Sequence, residues 1–79
     1  MFAEMVHRGV LLGNGNYYKV IWRIELEGHI YLYLLNANDF SDLLFCERIS
    51  DEDLEEITDV ELLDKVILSM AKQINTFMY

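Results

Sequence analysis

Proline is absent from the chain, cysteine occurs once, glycine four times, and Lys and Arg together number six against fourteen Asp and Glu. Without proline-rich or glycine-rich stretches there is no linker and no low-complexity tract. Residues 1–79 therefore read as one domain. The lone Cys46 cannot close an internal disulfide, which points to a cytoplasmic setting and to a small buried thiol. No uninterrupted apolar run exceeds Ile30 to Leu35, far short of the roughly 20 residues a membrane helix needs. The opening stretch MFAEMVHRG lacks the basic and apolar regions of a secretory signal. What is plentiful is apolar surface. At 53% hydrophobic the chain is too greasy for disorder. A domain of this size buries only about 60–65% of the surface its unfolded chain exposes, so the core has to be efficient.

The charge is unevenly placed. Eight acids and no base lie between Ser50 and Asp64: Asp51, Glu52, Asp53, Glu55, Glu56, Asp59, Glu61 and Asp64. The remaining six acids balance the six bases, so the net charge of −8 belongs to this segment alone.

Strands come first and a helix last. Residues 5–12, MVHRGVLL, read as a strand, and Asn14-Gly15 between apolar runs signals a hairpin that would set His7 beside Trp22. In YYKVIWRIELE the residues Tyr18, Val20, Trp22, Ile24 and Leu26 point one way, opposite Tyr17, Lys19, Ile21, Arg23 and Glu25. A two-residue turn at Glu27-Gly28 would pair Leu26 with His29, Ile24 with Tyr31, Trp22 with Tyr33 and Val20 with Leu35. A three-residue turn would exchange the faces. After the NANDFSD loop, LLFCERI forms another strand, and Leu54 to Ile57 is either a fifth strand or one helical turn capped by Ser50.

A helix follows. Thr58 with Glu61 fits a capping box, and Glu61 and Lys65 are spaced for an ion pair. Val60, Leu63, Ile67, Met70, Ile74 and Phe77 make one apolar stripe to pack on the sheet, while Leu68 lies off it as a candidate contact residue. The expected fold is α+β: an antiparallel meander of four or five strands with one C-terminal helix on one face.

Ile30 to Leu35 is apolar on both sides, and one helix covers only one. The other face, carrying Ile21, Leu32 and Leu34 and, depending on register, Tyr31 and Tyr33, is expected to meet a partner or a second copy of the chain. Together with Leu68, and with Asp51, Glu52, Asp53, Glu55, Glu56 and Asp59 as the charged part, these are the candidate partner-binding residues.

Catalytic and cofactor patterns are not found. Gly13-x-Gly15 lacks a third glycine and a following helix, so it reads as a turn. His7, His29 and Cys46 are too scattered for zinc. A calcium loop starting at Asp51 would place Glu56 where glycine is needed and Leu62 where glutamate is needed. Ser41, Ser50 and Ser69 have no nearby His. Six bases against fourteen acids disfavour nucleic acid, because phosphate contacts dominate that affinity. The expectation is a non-enzymatic domain with no cofactor and no metal. Its expected partner is a protein with a basic surface, such as a nucleic-acid enzyme.

The order IYLYLLN, loop, LLFCERI, acidic turn, LEEITDVELLDKV, within residues 17–70, resembles small acidic β-rich proteins of unknown function from Firmicutes and their phages. In size, charge and lack of catalytic groups the chain is also similar to phage-type inhibitors, the anti-restriction and anti-CRISPR proteins and nucleic-acid mimics. The resemblance implies a meander plus helix and a small inhibitor or regulator in the host cytoplasm. It assigns no functional residues. The alternative is a homodimeric structural or housekeeping domain.

Overall fold

A computed structural model describes the backbone of residues 1–78 and the side chains of residues 1–76. It is α+β. Six antiparallel strands, β1 (Ala3–Val6), β2 (Gly9–Leu12), β3 (Tyr17–Leu26), β4 (His29–Asn36), β5 (Leu43–Ser50) and β6 (Asp53–Glu56), form a meander in sequence order, and α1 (Val60–Met78) follows. There are six strands rather than four or five because residues 5–12 are not one strand. The chain turns at His7-Arg8, with Val6 opposite Gly9 and Arg8 at φ 59°. The Tyr17 hydroxyl secures this turn by donating to the His7 carbonyl at 2.8 Å. Its ring reaches there by crossing Gly9, where a Cβ would meet the Tyr17 hydroxyl and lie 2.6 Å from the Tyr18 carbonyl oxygen. His7 is therefore not beside Trp22.

The Glu27-Gly28 turn holds two residues, both at positive φ, 53° and 81°, as a type I′ hairpin requires. Leu26 faces His29, Ile24 faces Tyr31 and Trp22 faces Tyr33. Beyond that the register slips. Val20 faces Leu34, because the ladder is interrupted between Val20 and Trp22. Ile21 is the extra residue, and the bulge exchanges the faces of β3. Tyr18 and Val20 pack with one core, while Trp22 and Ile24 pack with the other.

That exchange belongs to a sheet that curls into a half-barrel. Ala3, Val10, Leu12, Tyr18, Leu32, Leu34, Cys46 and Leu54, drawn from all six strands, fill the concave side. The outer strands meet along a short seam. Phe2 bridges Asp53, the Ala3 N–H donates to the Glu52 carbonyl at 2.9 Å, and the Leu54 N–H donates to the Met1 carbonyl at 3.0 Å. The chain thus roofs its own second face. Leu32 is 2% exposed and Leu34 is fully buried, so these two residues do not form the uncovered apolar face expected of them. Strands carry a right-handed twist, which brings the outer edges of a sheet toward one another where a flat sheet would have stayed open.

The convex side carries the helix. Ile24, Tyr31 and Ile57 pack beneath Val66 and Met70, flanked by Trp22, Tyr33, Phe45, Leu62 and Leu63. The helix is rotated from the expected stripe. Val66 is fully buried, whereas Ile67 and Val60 are exposed. Two contacts fix the rotation: Lys65 Nζ with Glu27 Oε1 at 2.7 Å, in place of the expected Glu61 pair, and Trp22 Nε1 donating to Gln73 Oε1 at 3.3 Å. The side chain of Phe77, the last of the expected stripe, lies outside the described residues. Among the described residues no helix is long and apolar enough to cross a membrane.

Candidate protein-docking site

The acids of residues 51–64 are spread over a turn, an edge strand and the start of the helix. Asp51 and Glu52 form the β5–β6 turn, where Asp51 Oδ1 meets Arg48 at 3.2 Å. Asp53 holds the amino group of Met1 at 2.8 Å beside the seam. Glu55 and Glu56 alternate along β6, opposite Glu47 and Cys46 respectively. Asp59 caps the helix: its Oδ1 accepts from the Glu61 N–H at 3.0 Å and its carbonyl accepts from the Leu63 N–H at 2.9 Å. The cap is therefore Asp59 rather than Thr58, one residue later than the capping box suggested.

Among the described residues Glu52, Glu55, Glu56, Glu61 and Asp64 make no ion pair, and all five are exposed. Glu47, Glu55, Glu56 and Asp59 contribute to the lining of a shallow pocket of about 100 Å³ that Ile57, Thr58 and Leu62 complete, with Glu47 and Glu55 on one face of the sheet and Glu56 at its edge on the other. Glu47 takes His29 Nδ1 at 2.8 Å. This carboxylate was missed in the sequence because its neighbours in space come from β6 and the helix start, which only the register reveals. Its charge reaches Tyr31, whose phenol is held above its ordinary range by burial first and by Glu47 second.

The expected apolar contact residues divide. Tyr31, 4% exposed, lies under the helix, and Leu32 and Leu34 line the barrel, so none of the three offers a surface. Tyr33 is half-buried, stacked on Phe45 with ring centroids 4.7 Å apart and planes 15° from parallel. Ile21 at the bulge is 42% exposed and Leu68 on the outer side of the helix is 62% exposed. Neither belongs to the acidic pocket. Beside that pocket runs an apolar groove between α1 and β5, lined by Tyr33, Phe45, Ile67, Met70, Ala71 and Ile74. The Ile57 N–H donates to the Phe45 carbonyl at 2.9 Å, which ties the groove to the acidic pocket. No pattern of residues signals this groove, because it exists only through the rotation of the helix.

As a nucleophile Cys46 is poorly placed. It is fully buried, and burial, with Glu56 adding to it, pushes its thiol up to about 11. Among the described residues no three of His, Cys, Asp and Glu are arranged to hold a metal ion. Comparison with known proteins finds no matching family model, no matching curated protein and no matching solved structure, so the chemistry of this surface is read from its own geometry.

Proposed function

We propose that the chain is a non-enzymatic protein-interaction module, a small acidic inhibitor or regulator of the phage type, acting in the cytoplasm on a basic surface of a larger protein such as a nucleic-acid enzyme. The observation that carries this reading is the state of the acids. Among the described residues five carboxylates of one segment stand exposed and make no ion pair, although the chain has six Lys and Arg. Glu55 is even set directly across from Glu47 on the neighbouring strand, an arrangement that costs stability. A merely solubilising surface has no need of such a juxtaposition, whereas an incoming cationic surface relieves it. Complementary potential of this kind steers encounter and selects partners more than it adds raw affinity.

The test is capture of a basic nucleic-acid enzyme from bacterial lysate at about 50 mM and about 500 mM salt. Wild-type protein should retain the partner at low salt and release it at high salt. Replacing Glu52, Glu55, Glu56, Glu61 and Asp64 by Lys, which leaves every ion pair of the fold intact, should abolish retention. Equal retention by wild type and variant at both salts would end the electrostatic reading.

A further inference from the structure

We propose that the groove between α1 and β5 takes one large apolar side chain of a basic amphipathic segment in the partner protein, whose cations then lie against the acidic pocket. The inference rests on the docking function just proposed and adds the form of the partner. The groove has a volume of about 160 Å³ and is walled by Tyr33, Phe45, Ile67, Met70, Ala71 and Ile74. Small-molecule sites run to roughly 300–1,000 Å³ and need convergent polar groups, and these walls supply almost none. The space suits a single bulky anchor instead. Its rim is already apolar, with Ile67 39% exposed on the helix side and Leu43 45% exposed two residues before Phe45 on the same face of β5.

Charge decides what kind of segment brings the anchor. Moving the other way along that face of β5, the residue after Phe45 is Glu47, about 7 Å on. Glu55 lies opposite it, and Asp59 and Glu56 complete the pocket. A partner helix with an apolar residue in the groove and Lys or Arg one turn away, about 5.4 Å along its axis, matches this spacing. An acidic or neutral segment would leave the carboxylates unrelieved. Leu68 and Ile21 lie elsewhere and take no part.

The probe is a fluorescein-labelled peptide of two LKKLLKL heptads, with two LEELLEL heptads as control, followed by fluorescence anisotropy at about 100 mM salt. The lysine peptide should bind and the glutamate peptide should not. Ile67→Glu separates the groove from simple attraction, because it removes apolar wall while adding negative charge. Docking in the groove predicts at least about tenfold weaker binding, and attraction alone predicts binding as tight or tighter. Ala71→Gln, on an exposed helical position, should weaken binding similarly by filling the groove without burdening the fold. Glu55→Lys with Glu56→Lys should also weaken it by at least about tenfold. If only the charge reversal matters, the groove proposal falls and the acidic docking surface stands. If the charge reversal changes nothing, the docking function falls and takes this inference with it. Failure of the lysine peptide to bind wild type at about 100 μM overturns the groove proposal outright.

Discussion

Tyr18 brings its hydroxyl to the end of the barrel wall and donates it to Asp42 Oδ2, which also accepts from the Asn36 side-chain amide at 3.1 Å. At 3% exposure the phenol has little water to fall back on. The hydrogen bond to Asp42 first, then burial, raises its pKa from 10.0 to about 12. A group whose folded pKa is raised contributes stability that is complete below its unfolded pKa and lost as pH climbs through the folded one. Tyr18 therefore stabilises the fold fully below about pH 10 and ceases to by about pH 12. Tyr18→Phe should cost about 1–3 kcal/mol at neutral pH, because the bond lost is to a charged acceptor. It should also flatten the decline of the urea midpoint between about pH 10 and 12. An unaltered alkaline decline in the variant would place its origin elsewhere. Cys46, raised from 9.0 to about 11, adds the earlier part of that decline by the same sign, from about pH 9.

At the level of elements, the helix start offers a contest between neighbours. Both Thr58 and Asp59 are good capping types, yet only the Asp59 carboxylate accepts the Glu61 N–H. Asp59→Ala should cost about 1 kcal/mol in urea denaturation, whereas Thr58→Ala should cost less than about 0.5 kcal/mol. A reversal of that order would restore Thr58 as the cap. Such one-residue slips mark the limit of what was legible in the chain. The place of the turn at Glu27-Gly28 could be read from its glycine, but its length could not: of the two alternatives the two-residue turn is the one found, with three of its four cross-strand pairs. The bulge at Ile21 could not. Isoleucine suits any strand position, and the alternation from Tyr18 to Leu26 continues unbroken across a change of face. The His7-Arg8 turn was hidden for a similar reason. Nothing in its own residues calls for a turn, and the bond that secures it comes from Tyr17, ten positions on. Of the candidate site, the acids of 51–59 were visible as composition. Glu47, Phe45 and Ile67 were not, since strand register and helix rotation place them there.

For the molecule as a whole, the net charge of −8 and the short supply of cations mean that the fold works against its own repulsion. Screening should relieve it. Raising salt from about 20 mM to about 500 mM should lift the melting temperature by a few degrees, since a domain this small gains about 4–8 °C per kcal/mol. A flat or falling temperature would mean that the ion pairs among the described residues, including Lys65 with Glu27 and the Met1 amino group with Asp53, outweigh the unpaired carboxylates. The barrel's self-closure places the candidate contact surface on the convex side, where the helix leaves part of β5 uncovered.

The join between Met1 to Ala3 and Glu52 to Leu54 also sets an order of events. Every other ladder in the sheet connects neighbours in sequence through a short loop and can zip locally, but this one must bring together segments some fifty positions apart. Chain entropy makes such a long-range pairing the last to form and the first to open. In native-state hydrogen exchange the amides of Ala3 and Leu54 should therefore trade protons well before those of the long β3–β4 hairpin, so that the curled sheet briefly becomes an open ribbon while its middle stays intact.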